Sequence, residues 1–226
     1  MCGRFFVTNT PAELERELGL EGIPEGVIPR YNIAPTQEVL ALVLHEGRPL
    51  SGTIRWGLIP HWMRRPTNPT GFINARAETI RTKPSFRESF ERRRCLIIAS
   101  GFYEWRETSS GNQPFAIWAA DRRPLTLAGV WDRWRGEDGR TITSCAIVTR
   151  EATEELAPIH HRMPLVVLPE ERETWLDHHS AVDDLESILE IAPQMHFEYY
   201  PVSRLVNSAR NEMAECLDPL SEALGL

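Results

Sequence analysis

The sequence predicts an α+β chain with a largely antiparallel, barrel-like β core and peripheral helices. Three observations carry this. Short apolar or alternating segments, irregularly spaced and bounded by Gly, Pro, Asn and Asp, read as strands. Helix signals are few and fall mostly late in the chain. The 17 prolines are spread throughout, with no polar low-complexity linker and no repeat, so one domain over residues 1–226 is expected. With 226 residues, 42% of them apolar, the chain can fill a core without disulfides or structural metals.

The first element is a helix. Thr10-Pro11-Ala12-Glu13 has capping-box spacing with proline at the first helical position, Leu14 and Leu18 share a face, and Gly19 ends it. Strands are expected over 39–44, 53–56, 95–99, 115–119, 125–131, 141–149, 165–168 and 197–202. Further helices are expected over 151–157, over 170–176 behind Pro169, and over 181–189. No apolar run approaches the roughly 18 residues of a membrane span, and the N-terminus lacks a signal-peptide apolar region, so a soluble cytoplasmic protein is expected. Cys2, Cys95, Cys145 and Cys216 are scattered and read as reduced thiols. A zinc site from Cys2, Cys95, Cys145 and the His160-His161 or His178-His179 pairs lacks ligand spacing, so no metal is expected. Phosphate-binding glycine loops are absent too, which argues against a nucleotide cofactor.

Net charge is −7, but it is unevenly distributed. Residues 1–106 carry 15 basic against 11 acidic side chains, and residues 107–226 carry 10 against 21. Between Arg55 and Arg106, 11 basic residues face 4 acidic ones, among them Arg64-Arg65 and Arg92-Arg93-Arg94. Trp56, Trp62, Phe72, Phe86 and Phe90 are interleaved with them. Guanidinium groups that clamp phosphates and rings that stack on bases suit a nucleic-acid strand. A solvated arginine-rich face is the plainer alternative.

Residue 2 carries distinctive chemistry. Removal of the initiator methionine, expected before a small residue, makes Cys2 the mature N-terminus, with an amine and a thiol on adjacent atoms. An aldehyde condenses with such an amine to an imine, and the thiol then closes a five-membered thiazolidine. An α-amine with a pKa of about 7.7–8.0 is partly free base at neutral pH, whereas a lysine amine near about 10.4 is almost wholly charged. Of the 25 basic residues only Lys83 is a lysine, so the α-amine is favoured. A small buried residue at a chain end is the alternative reading of Cys2.

Met1-Cys2-Gly3-Arg4-Phe5, Arg30-Tyr31-Asn32-Ile33-Ala34-Pro35, Trp56-Gly57-Leu58-Ile59-Pro60-His61-Trp62, Ile73-Asn74-Ala75-Arg76-Ala77-Glu78-Thr79, Ala99-Ser100-Gly101-Phe102-Tyr103-Glu104-Trp105 and Ile159-His160-His161-Arg162-Met163-Pro164 occur in this order. Together with Pro201-Val202-Ser203 and the 207–211 segment, they resemble the SRAP family, the SOS-response-associated or abasic-site-processing proteins, over nearly the whole chain. The resemblance implies a barrel-like α+β fold and a protein that joins its N-terminal cysteine, as a thiazolidine, to the ring-opened sugar of an abasic site in single-stranded DNA. In that reading Cys2 is the nucleophile, Asn74 holds the sugar and the N-terminus, Glu104 moves protons, and His160 promotes ring opening, with His161 an adjacent decoy. Arg4, Arg76 and Arg162 resemble phosphate contacts, and Trp62 resembles an aromatic wedge. Met63 stands where some members carry a second tryptophan, and it could fill the gap left by the missing base. As side chains at i and i+2 share a strand face, Arg4 is expected beside Cys2, and Arg76 beside Asn74. The implied partner is abasic single-stranded DNA, alone or at a junction with duplex, bound by a monomer that neither needs a cofactor nor binds membranes, and that is recruited to the nucleoid at damage.

Class II glutamine amidotransferases also begin Met-Cys-Gly, but their downstream Asn-Gly-Glu signature is absent here. The family name records a peptidase activity, which is expected to be secondary at most, as is an abasic-site lyase activity. A non-covalent single-strand-binding module is the remaining alternative.

Overall fold

The computed structural model describes residues 2–24, 29–66 and 68–220. Met1, whose removal is expected from the sequence, lies outside the described residues. The centre is a closed five-stranded barrel of β3 (Glu38–His45), β4 (Arg48–Trp56), β6 (Arg94–Ala99), β9 (Leu125–Arg135) and β10 (Thr141–Glu151). Around the ring, β4 pairs with β3, β3 with β6, β6 with β9 and β9 with β10, all antiparallel. A short parallel contact, Ser144↔Arg55 and Cys145↔Trp56, returns β10 to β4 and closes it. Closure removes the sheet edges, which would otherwise present unpaired backbone. The inward residues are apolar and buried, including Val39, Ala41, Cys95, Ile97, Leu127, Cys145 and Ile147.

A second, antiparallel sheet in the order β12-β8-β7-β1-β2 packs beside the barrel. Its strands are β1 (Phe5–Val7), β2 (Arg30–Ile33), β7 (Gly101–Thr108), β8 (Gly111–Ala119) and β12 (Phe197–Pro201). Phe5 of β1 meets Trp56 of the barrel at a ring-centroid distance of 5.3 Å, and both are fully buried. Full burial of such a ring contributes about 1.5–3 kcal/mol. Gly101 is required by this packing: a Cβ there would overlap the Phe6 ring and the Ile117 carbonyl. Gly57 has φ 124°, in the left-handed half of conformational space, and a Cβ would overlap the Thr70 carbonyl.

Helix α1 (Pro11–Leu18) has the expected limits. Thr10 accepts from the Glu13 N–H, the Glu13 carboxylate accepts from the Thr10 N–H, and Gly19 closes the helix in the left-handed conformation. Helices α3 (Arg172–Leu176) and α4 (Val182–Glu190) match the expected late helices, and a 3₁₀ turn over Pro169–Glu171 precedes α3. The sequence reading missed α2 (Arg87–Arg92), the short strands β1, β2, β5 (Asn74–Arg76) and β11 (Arg162–Pro164), and the eight-residue β7. Two expected elements are corrected. The segment 151–157 is a turn rather than a helix: Glu151 still belongs to β10, and Pro158 has no N–H with which to extend the turn started at Thr153. The 165–168 strand is replaced by β11 just before it, leaving an isolated bridge between Val166 and Leu127.

Candidate functional site

The site forms where the two sheets meet. Strand β10 pairs with β9 as far as Ile147, then continues as a platform. On one edge it takes β5 in parallel, with Ile147↔Asn74 and Thr149↔Arg76; on the other it takes β11, with Thr149↔Pro164 and Glu151↔Arg162. From the second sheet, β1 and β7 run antiparallel, with Phe5↔Phe102 and the Tyr103 N–H donating to the Arg4 carbonyl at 3.0 Å. That register brings the residues before β1 alongside Glu104. Hence Cys2, Asn74, Glu104 and His160, spread over nearly 160 positions of sequence, converge.

Asn74 donates from Nδ2 to the Cys2 carbonyl at 2.9 Å. Its Oδ1 is buried and takes no donor among the described residues, so an acceptor is aimed into the site. Cys2 is fully buried, and its thiol is pushed far above the usual range, first by desolvation and then by the Glu104 charge; the Arg4 N–H acts in the opposite direction. Glu104 is buried, and desolvation raises its carboxyl to about 7, so it changes protonation near neutral pH. His160 Nδ1 lies 4.0 Å from Glu104 Oε2, 2.9 Å from the Arg162 nitrogen and 3.1 Å from the Arg162 carbonyl oxygen, so it accepts from the N–H or donates to the carbonyl according to its tautomer. Burial lowers the His160 pKa and favours the neutral form. The buried side chains of Phe102, Ile117, Leu156, Ile159 and Met163 surround Glu104 and His160. His161 is exposed and stacks on His160 at 4.3 Å between centroids.

The expected DNA contacts separate into distinct environments. Arg76 is exposed and forms no ion pair among the described residues; it shares the β5 face of Asn74, with Ala75 buried on the other. Arg162 is committed to the protein. It grips both Glu78 oxygens at 2.5 and 3.0 Å and donates to the Thr149 carbonyl at 2.6 Å, holding Glu78 below the usual carboxylate range. Arg4 does not share the face of Cys2. Cys2 packs with Phe5 in the main core, whereas Arg4 turns to the opposite side and donates from Nη1 to Asn32 Oδ1 and the Val206 carbonyl, both at 2.7 Å. The backbone is not yet paired as a strand at Gly3, so the i, i+2 rule fails there.

Trp62 is 52% exposed and Met63 half-buried. The Met63 carbonyl accepts from Trp134 Nε1, and Trp134 pairs with Ile142. Five residues of β10 separate Ile142 from the Asn74 partner Ile147, about 16 Å of strand. Of the basic run, Arg94 is buried and donates to the Phe90, Trp175 and Asp177 carbonyls, Arg93 is ion-paired, and Arg92 is exposed. Arg64 and Arg87 are also exposed and unpaired among the described residues.

Sequence reasoning missed Thr149 and Glu78, which hold Arg162, and also His61 and Asp132. Asp132 is 3% exposed and accepts from the His61 N–H and ring. The available signal was an acidic residue between Trp131 and Arg133 on a β-strand pattern, which alternation puts on the covered face. Apart from this site, Asp177, His178 and His179 bring three potential ligand atoms within 4.8 Å of one another, two of the residues being exposed. All four cysteines are free and buried. No helix among the described residues is long and apolar enough to cross a membrane.

Known proteins are similar to this chain over nearly its whole length. The abasic site processing protein YoaM of Bacillus subtilis is 36% identical over 222 residues, covering 96% of this chain and 98% of its own length. The abasic site processing protein YedK of Escherichia coli is 31% identical over 230 residues, covering 97% and 100%. A crystal structure of a Bacteroides thetaiotaomicron protein superposes with a TM-score of 0.82 at 23% identity, over 96% of this chain and all of that one, which shows the common fold. A phage-related protein of Bordetella bronchiseptica superposes with a TM-score of 0.72 at 30% identity, over 89% and 94%. The model of the family described as SOS response associated peptidase (SRAP) matches residues 1–209, and this chain belongs to that family.

Proposed function

We propose that this protein processes abasic sites in DNA, joining the amine and thiol of a mature N-terminal Cys2 to the ring-opened sugar as a thiazolidine. The observation that carries the reading is the convergence of Cys2 with Asn74, His160 and a carboxyl poised at about 7, Glu104. The relatives named as abasic site processing proteins support the substrate class.

An abasic sugar is mainly a closed hemiacetal. Opening it requires a proton on the ring oxygen and loss of one from the anomeric hydroxyl, which protonated Glu104 and neutral His160 can exchange. The buried Asn74 Oδ1 is placed to accept from the sugar or from the amine. The free amine then adds to the aldehyde, and the carbinolamine loses water to give an imine. The Cys2 sulfur attacks the imine carbon. Because burial holds the thiol neutral, its proton passes to the Glu104 carboxylate as the C–S bond forms, and the imine nitrogen takes up a proton. Aldehyde, amine and thiol thus yield thiazolidine and one water. Exposed Arg76 is assigned a phosphate, Trp62 and Met63 the flanking bases, and Arg162 and Arg4 mainly the scaffold.

The test mixes processed, untagged protein with a single-stranded oligonucleotide bearing one abasic site and resolves the products on a denaturing gel. A heat-stable adduct is expected that disappears with Cys2→Ala, while Cys2→Ser gives only an imine trapped by borohydride. An equally strong adduct from Cys2→Ala would move the chemistry to Lys83. No adduct from the parent protein would refute the reading.

A further inference from the structure

We infer that Asp132, acting through His61, positions the Trp62–Arg65 loop for single-stranded DNA; the inference rests on the DNA-processing reading above. Trp62 stands 52% exposed on a loop that also carries exposed Arg64 and Arg65. A large indole left in solvent makes a useful contact only if its loop is held in one place beforehand, because immobilising it on binding costs affinity.

The structure supplies the hold. Asp132, 3% exposed in β9, accepts on Oδ2 from the His61 backbone N–H at 2.8 Å and faces His61 Nδ1 at 2.9 Å. Its other oxygen accepts the Arg133 N–H at 2.8 Å and faces Arg93 Nε at 3.3 Å. Glu88 of α2 completes the ring, 3.4 Å from His61 Nε2 and 3.1 Å from Arg93 Nη2. Two neighbouring bonds fix the loop on either side: Ile59 N–H to Ser144 Oγ at 2.8 Å, and Trp134 Nε1–H to the Met63 carbonyl. One side chain beside the indole is therefore bound to the barrel wall through both its backbone and its ring. A buried carboxylate held by three hydrogen bonds and an ion-pair contact to Arg93 is a costly feature to keep merely for packing. Among the described residues the bonds of this network run to Glu88, Arg93 and Arg133 and not to Cys2, so its effect is on binding rather than on bond formation.

The test is a double-mutant cycle read by anisotropy with a labelled, undamaged single-stranded oligonucleotide. Asp132→Asn and His61→Ala are each expected to weaken binding about 3- to 10-fold in the parent, and less than about 1.5-fold in a Trp62→Ala background. With abasic substrate, both should raise the half-saturating DNA concentration and leave the saturating crosslinking rate in place. Should Asp132→Asn fail to fold, His61→Ala, which leaves the Asp132–Arg93 pair intact, carries the cycle. Equal losses with and without Trp62, or no loss in folded variants, would overturn the positioning role alone. A parent protein that binds no single-stranded DNA would overturn the DNA reading as well.

Discussion

Replacing Glu104 with glutamine separates what this carboxyl costs the fold from what it does in chemistry. Its pKa is raised from the ordinary 4.5 to about 7, with desolvation the first cause. The native state therefore holds a proton that the unfolded chain has released between these two values, and native stability falls as pH rises through that window. At about 1.4 kcal/mol per unit, the ionised side chain costs the fold up to about 3 kcal/mol above neutrality. The side chain is only 3% exposed, so solvent screening removes little of this. Glutamine has the same shape and no charge to desolvate. In urea unfolding of the processed protein, Glu104→Gln should equal the parent near pH 4 and exceed it by about 1–3 kcal/mol at pH 8.5. His160, whose pKa is lowered, contributes the opposite slope, losing stability as pH falls, and it is present in both proteins. The same substitution should slow adduct formation by about 10²-fold or more. Identical pH dependence in parent and variant would refute the argument that burial sets the Glu104 pKa.

Three further outcomes follow. Arg76→Ala should weaken single-strand binding and lower the slope against log salt by about 0.7, one phosphate contact, with stability unchanged. Arg162→Ala should instead destabilise the fold by about 1–2 kcal/mol, since it takes the donor from the buried Thr149 carbonyl and breaks the pair with Glu78, as thermal unfolding would show. The four buried thiols should react with a disulfide reagent far more slowly in the native protein than in denaturant. A fast single equivalent before unfolding would contradict the burial of Cys2.

Several elements were legible in the sequence because their determinants are local. The α1 helix was bounded by Thr10, Pro11, Glu13 and Gly19, residues that cap and stop a helix by their own bonds. Most of the longer apolar strands declared themselves by pattern, β7 being the exception, and β10 was missed only in its last two residues. The strands that hold the site were not legible in this way. Strands β1, β5 and β11 are three residues long, and no periodicity can be read in so short a run; pairing with distant chain makes them strands. The candidate residues themselves were found through the motifs around them, not through any sign of mutual contact.

What the sequence determined by itself was therefore the class of fold, a cysteine at residue 2 and a basic, aromatic first half. Tertiary structure decided which groups are available. Arg4, Arg94 and Arg162 look like Arg76 in a charge count, yet three of the four have carbonyl or carboxylate partners supplied by chain 13 to 202 residues away. Glu104 reads as an ordinary acid until desolvation raises its carboxyl to about 7. Charge and reactivity depend on desolvation and on partners brought from elsewhere in the chain, and only the closure of the barrel against its second sheet supplies both.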